Sequence, residues 1–285
     1  MRLTIQYRGS LSSCNYHCDY CPFAKRWESK VQLARDRREL ARFTAWLADQ
    51  SEYTLSVMFT PWGEALVRPW YRRAAAALTH LPHVADVAAQ TNLSGPLAWI
   101  DDCRCDRLAL WATYHPTEVE QATFLRRVAR VREAGVRISV GVVGVPAAID
   151  RIVALREELP RDVYLWINPQ QPRPRPYSGD ERAIFTAIDP HFARWESRYP
   201  SRGKHCNAGE LAFTVDGRGD MRRCHFVEQV IGNIYESDWR QSLTHRACPN
   251  RFCHCFLGKA HAQADDLQSV FGTNVLARIP RMLAV

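Results

Sequence analysis

Ser12–Phe23 reads SSCNYHCDYCPF and follows a strand-like run, Leu3 to Tyr7, at the start of a 285-residue chain. Its three cysteines, Cys14, Cys18 and Cys21, have the spacing C-x3-C-x2-C. Three is the informative number. A closed structural zinc site takes four ligands, whereas a cubane iron–sulfur cluster held by three thiolates keeps one iron open to a small molecule. A zinc ribbon completed by a distant fourth cysteine is the other reading of the spacing.

The rest of the chain narrows the context of those thiols. Hydrophobic residues make up 46% and charged residues 24%, so neither disorder nor a fibrous architecture is indicated. No run of eighteen apolar residues and no charged-then-apolar leader occurs, and the chain is expected to be cytoplasmic with no membrane partner. In a reducing compartment ten cysteines grouped near the start, the middle and the last third point to metal or redox chemistry before disulfides. The net charge of +8 comes from scattered arginines, without a block of like charges or an aromatic–basic stripe. It suits an acidic electron donor such as a flavodoxin or ferredoxin, or an anionic substrate, and nucleic acid is not expected.

Strand-like runs alternate with helical stretches, the pattern of βα units around a parallel sheet. Six units are expected, with strands at Leu3 to Tyr7, Tyr53 to Phe59, Ala85 to Gln90, Arg107 to Thr113, Val136 to Val143 and Asp162 to Ile167. Thr117 followed by Glu120 has the spacing of a capping box ahead of a helix that Gly135 ends. The prolines of QPRPRPYSG close the first domain, and a connecting helix is expected with Asp189 as N-cap and Pro190 at its first position. From Gly203 onward a hairpin through Asp216 and Gly217 and five cysteines mark a small second domain.

C-x3-C-x2-C after the first strand of such a barrel, with an aromatic residue, Tyr20, before the last cysteine, resembles the radical SAM superfamily. The resemblance implies a partial (β/α)6 barrel in residues 1–170, a linker and connecting helix in 171–202, and S-adenosylmethionine on the open iron of a [4Fe-4S] cluster. It also implies reductive cleavage of that cofactor to a 5′-deoxyadenosyl radical. TPWGEA resembles the family's GGE segment with Trp62 in place of its first glycine, and gives Gly63 and Glu64 to the cofactor's ammonium end. QTNLSG is similar to a TNG-like turn, which implies that Thr91 and Asn92 face ribose or substrate. VGVVGVP resembles the adenine-binding segment, with Gly141, Val143 and Gly144. Each of these glycine-bearing turns also has an ordinary structural reading as a tight turn or close packing.

Cys206, Cys224 at G-x4-C spacing from Gly219, and CPNRFCHC with Cys248, Cys253 and Cys255 resemble the twitch and SPASM extensions of that superfamily. The likeness implies one auxiliary [4Fe-4S] cluster within 203–285, a region expected to end in a helix. Four thiolates close a cubane, so one of Cys248, Cys253 and Cys255 is spare; a structural zinc knot is the competing reading. Cys103 and Cys105, a C-x-C in a turn, are read as free thiols.

WATYHPT at the end of strand four offers Trp111, Tyr114 and His115 to a substrate, Tyr114 and His115 as catalytic candidates. Asn168 and Gln170 end strand six, and His225 follows Cys224 as a possible tuner of the second cluster. The expected activity is hydrogen abstraction from a small polar metabolite, with the auxiliary cluster in electron transfer. Three alternatives stand beside it: the cluster as sulfur donor, a maturase of a ribosomally made peptide, and a non-catalytic zinc and nucleic-acid module. Against the maturase, the chain starts strand one at Leu3 and ends soon after Cys255, without the leader-binding domain such enzymes usually add.

Overall fold

In the computed structural model, residues 1–21, 23, 26–262 and 267–281 are described. Six parallel strands run in sequence order: β1 (Arg2–Arg8), β2 (Thr54–Phe59), β3 (Val84–Thr91), β4 (Leu108–Tyr114), β5 (Arg137–Gly144) and β6 (Leu165–Pro169). All six expected strands form. The last starts later than expected, because the Val163 amide turns back to the Pro160 carbonyl (3.0 Å) and Asp162 pairs with Arg132.

Alternation divides the sheet into two faces. Leu3, Ile5, Tyr7, Leu55, Val57, Phe59, Leu108, Leu110, Ile138 and Val140 point to an outer core shared with the helices. Those helices are α1 (Lys30–Ala48), α2 (Pro69–His80), α3 (Gln121–Glu133), α4 (Ile149–Glu158), α5 (Gly179–Ile188) and α6 (Phe192–Glu196). The third crossover lacks an α-helix. Pro96 and the left-handed Leu93 (φ 58°) interrupt it, and two 3-10 turns, Ala98–Asp102 and Cys105–Arg107, serve instead.

Helix α3 begins later than Thr117 implies. Its N-cap is Glu120, without a side-chain cap, because the amides of Glu118 and Val119 close a separate turn onto the His115 carbonyl. Reciprocal capping boxes form elsewhere, at Ser29/Gln32 before α1 and Ser178/Glu181 before α5. Asp189 is likewise not the N-cap of α6, a place taken by His191. Its buried carboxylate accepts from Tyr164 Oη (2.7 Å), the Ile167 amide (2.9 Å) and Trp195 Nε1 (2.9 Å), fastening the connecting helix to β6.

The region past Gly203 is joined to the barrel by backbone hydrogen bonds. Short β7 (Tyr199–Pro200) precedes β8 (Ala212–Asp216), which pairs parallel to β1. The expected turn at Asp216 and Gly217 leads into antiparallel β9 (Asp220–Arg222), and β10 (Val230–Asn233) follows. One nine-stranded sheet results, in the order β10-β9-β8-β1-β2-β3-β4-β5-β6. β11 (Phe252–Cys253) pairs with β7, and α7 (Phe256–Lys259) crosses the concave face. There Met58, Ala88, Ala109, Trp111, Tyr164 and Trp166 pack against Phe256, Leu257, Phe271 and Leu276. Part of the expected C-terminal helix lies outside the described residues; within them α8 spans Leu267–Phe271. Among the described residues no helix is long and apolar enough to cross a membrane.

Candidate active site

The cysteine loop leaves the C-terminal end of β1 and is tied down before its first thiol. Asp36 accepts from the Leu11 amide (3.0 Å), Trp70 Nε1 (2.7 Å) and Tyr71 Oη (3.0 Å). Glu28 accepts from the amides of Ser12 (3.2 Å) and Ser13 (3.0 Å), and Arg68 reaches Ser13 Oγ (2.8 Å). Inside the loop the Cys21 amide turns back to the Cys18 carbonyl (3.0 Å). Burial pushes the Cys14 thiol up and that of Cys18 up to about 12, so both are protonated at neutral pH until a metal displaces the proton. Three soft sulfur donors in one braced loop fit an iron–sulfur cluster.

The TPWGEA turn packs directly on this loop. Glu64 donates its amide to the Ser13 carbonyl (3.1 Å), and a Cβ on Gly63 would overlap that same carbonyl. The glycine therefore admits protein backbone, where the sequence reading gave it to the cofactor. Glu64 is buried, and its carboxylate accepts from Thr91 Oγ1 (2.7 Å), the Leu66 amide (3.0 Å) and the Asn92 amide (2.6 Å). Burial raises its pKa, and these donors pull it back down. Oε2 carries one of the three bonds and keeps acceptor capacity for a further donor.

Thr91 is committed to this network and also accepts from the Leu93 amide (2.9 Å). Asn92 reaches from the same turn to the cysteines: its Nδ2 lies 3.7 Å from Cys14 Sγ and 3.1 Å from Asn15 Oδ1. Its contacts are with the cysteine loop and Ser94. His115 closes the other side of the loop, with Nδ1 2.9 Å from Tyr20 Oη and 3.2 Å from Cys18 Sγ. The Tyr20 and His115 rings are stacked. Burial lowers the His115 pKa to about 4, so the ring is neutral at pH 7 and holds the loop by hydrogen bonds.

Other expected residues lie away from the cysteines. Tyr114 points to the outer core and packs on Phe124, because residues two apart on a strand share a face and its neighbours Leu110 and Ala112 face the helices. Trp111 faces inward but donates its indole N–H to the Leu276 carbonyl within the packed interior. A Cβ on Gly141 would overlap the Trp166 ring, so an indole fills the space read as an adenine site. Gly144 accepts from Tyr177 Oη (2.7 Å) and Val143 is half-buried. Asn168 is exposed at the end of β6, and the Gln170 amide binds Tyr177 Oη (2.8 Å). Cys103 and Cys105 bond to carbonyls of their own turn.

The late cysteines gather. Cys206, Cys224, Cys248 and Cys253 line one cavity of about 310 Å³, with Phe226, His254 and Gly258 on its wall. Cys255 does not line that cavity; it packs against the inner core near Phe256. Burial raises the thiols of Cys206 and Cys255, that of Cys224 to about 12 and that of Cys253 to about 11. Among the described residues no group of three or more His, Cys, Asp or Glu converges on a single ion. Four thiols lining one cavity supply the ligand number of a cubane cluster.

Sequence reasoning passed over Glu28, Asp36, Arg68 and Asn15, which brace the loop, and Arg8. The Arg8 guanidinium stacks 3.7 Å from the Trp62 ring and feels the sulfurs of Cys255 and Cys224. His225 lies close to Arg8 and His261, and burial lowers its pKa to about 3.

No family model and no curated protein matches the chain. Solved structures do. Histidine-tagged anSMEcpe with bound AdoMet aligns at a TM-score of 0.56 and 12% identity over 86% of this chain and 81% of that one. Streptococcus suis SuiB bound to S-adenosylmethionine aligns at 0.57 and 14% over 84% of this chain. The chain spans 64% of SuiB's length. SuiB bound to its precursor peptide SuiA aligns at 0.55. At these identities the likeness is one of fold.

Proposed function

We propose that the chain is a radical SAM enzyme with one [4Fe-4S] cluster on Cys14, Cys18 and Cys21 and an auxiliary one on Cys206, Cys224, Cys248 and Cys253. The supporting observation is the pairing of a braced three-thiol loop at the C-terminal end of β1 with a four-thiol cavity whose Cys206 and Cys224 flank the β8–β9 hairpin, β8 pairing with β1. When bound, the first cluster and S-adenosylmethionine supply a 5′-deoxyadenosyl radical for hydrogen abstraction. The chain's own residues position that chemistry. Glu64 offers its remaining acceptor capacity to the cofactor's ammonium group, while Asn92 and His115 hold Cys14 and Cys18 in register. Tyr20 fixes the orientation of His115.

The substrate in this reading is a small polar metabolite, and an acidic flavodoxin or ferredoxin delivers electrons to a protein of charge +8. Cys206, Cys224, Cys248 and Cys253 would hold the auxiliary cluster, which when bound would supply an acceptor for the substrate's electron; four thiols around one cavity support this, since four thiolates saturate a cubane. A peptide substrate is the second reading, favoured by the structures of similar fold solved with peptides, SuiB with SuiA and anSMEcpe with Cp18Cys. Reconstitution with 34S-sulfide followed by mass spectrometry of the product tests the electron-transfer role. Unlabelled product over many turnovers is expected; heavy sulfur in the product, with loss of the second cluster, contradicts it.

A further inference from the structure

Charge is distributed unequally around the two cysteine groups. The first loop carries the exposed Asp19, and Glu28 and Glu118 accept from its Ser12, Ser13 and His17 amides. Acids crowd that site. The four-thiol cavity is built mainly from two segments, 197–209 and 239–262, and neither contains an Asp or a Glu. No acid lines the cavity either. Lys204 and Arg251 stand on its wall and are exposed, as are Arg198 and Arg202, and none of the four joins an ion pair among the described residues. Backbone bonds hold the two segments edge to edge: β7 pairs with β11, the Ser201 amide donates to the Arg251 carbonyl (3.1 Å) and the Gly203 amide to the Cys248 carbonyl (2.9 Å). The four cations therefore share one rim, above cysteines that are only half-buried.

Like charges gathered on one rim repel one another, and salt with a Debye length of about 8 Å screens them only in part. An acidic surface relieves that repulsion. A second copy of this chain presents the same sign and does not, because like-charge juxtaposition across an interface is costly. Apolar area is scarce as well: Phe226, 36% exposed, is the one exposed large apolar residue on the cavity wall. Permanent partners bury large apolar faces, whereas electron-transfer complexes are small, transient and steered by charge. The half-buried thiols beneath the rim favour an electron carrier among acidic partners, since a redox group held there lies next to whatever docks on it.

We propose that the rim formed by Arg198, Arg202, Lys204 and Arg251 docks an acidic one-electron carrier protein over the four-thiol cavity. The proposal deepens the radical SAM reading by placing the carrier, and rests on that reading for the group the thiols hold. The step it permits is the transfer of one electron from that group to the oxidised carrier, which is reduced by one electron, with no bond made or broken. Docking falls on the acid-free side of the molecule, away from Asp19, Glu28 and Glu118.

The test uses anaerobically reconstituted holoenzyme with an acidic flavodoxin as the probe and cytochrome c, a basic one-electron carrier, as the control. Zero-length carbodiimide coupling joins amines to carboxylates, and the lysines of the chain are Lys25, Lys30, Lys204 and Lys259. Lys259 is buried, Lys25 and Lys30 follow the first cysteine group in sequence, and Lys204 stands on the rim. Mass spectrometry should find flavodoxin linked through Lys204 and no link to cytochrome c. Arg198→Glu with Arg202→Glu leaves the cavity lining intact; in calorimetric titration it should weaken flavodoxin binding about tenfold or more and flatten its salt dependence. Arg38→Glu with Arg73→Glu, the same change of charge on exposed positions of α1 and α2, should alter binding less than about twofold, and iron content should hold in both. Links confined to Lys25 or Lys30, equal weakening by the two pairs, or no saturable flavodoxin binding overturns the proposal. So does a single-stranded oligonucleotide binding at the rim in flavodoxin's place, which makes the partner a nucleic acid. Iron content and 5′-deoxyadenosine formed with dithionite as reductant report on the radical SAM reading without any carrier, so the two can fail separately.

Discussion

The two cysteine groups reach similar ends by opposite means. Cys14, Cys18 and Cys21 belong to one loop, and their relative positions follow from a single turn held by Asp36, Glu28 and Ser13. Cys206, Cys224, Cys248 and Cys253 come from separate segments, held together in a fold that pairs β8 with β1 and β11 with β7. A local site is written in spacing, whereas a site assembled across a sheet depends on the register of strands far apart in sequence. The first should therefore break through changes near the loop, and the second through loss of any one segment.

The largest effect of this kind is expected at Gly63. Any side chain there meets the Ser13 carbonyl, so Gly63→Ala should displace the cysteine loop, remove iron from the first site and abolish S-adenosylmethionine cleavage. The second site should keep its iron. Equal loss from both sites, by iron analysis and electron paramagnetic resonance, would show that the two are not independently built.

The late cysteines sharpen the comparison in the other direction. Cys206→Ala with Cys224→Ala should take about half the iron, spare reductive cleavage and stop product formation. Cys255→Ala should leave iron content unchanged, because Cys255 stands outside the cavity that the other four line. Loss of iron from that variant, with retention in Cys253→Ala, would exchange the two in the ligand set.

The smallest effect is on stability. Burial lifts the Asp36 carboxyl to about 6, above its value in an unfolded chain. The stabilisation linked to this proton is full below the unfolded value and is lost as pH rises through about 6. In Asp36→Asn that slope between about pH 4 and 6 should vanish from urea midpoints. The variant should also lose about 1–3 kcal/mol, because an amide N–H then faces Trp70 Nε1 or Tyr71 Oη. An unchanged slope would place the titration elsewhere.

The six strands were legible because each is apolar enough for burial on both faces, and the first cysteine group because its ligands lie within one turn. What alternation decides was misread at Tyr114, one residue from His115 yet on the helix face, and at Gly141, whose space Trp166 occupies. The pattern S/T-x-x-E/Q also recurs without being used: Ser29 and Ser178 cap helices, but Thr117 does not, since the His115 carbonyl claims the following amides. Glu28 and Asp36 carry no local signature. Their roles come from partners that the fold brings together, the Leu11, Ser12 and Ser13 amides, Trp70 and Tyr71.

The central claim is that Cys14, Cys18 and Cys21 hold the cluster that cleaves S-adenosylmethionine. Anaerobic reconstitution, with iron, labile-sulfide and zinc analysis and a count of 5′-deoxyadenosine after reduction, tests it on the wild-type chain and on the Cys14→Ala, Cys18→Ala, Cys21→Ala triple variant. The account predicts about eight irons in the first, about four in the second, and cleavage in the first alone. Undiminished cleavage by the triple variant, or zinc in place of iron in the wild-type chain, would contradict it.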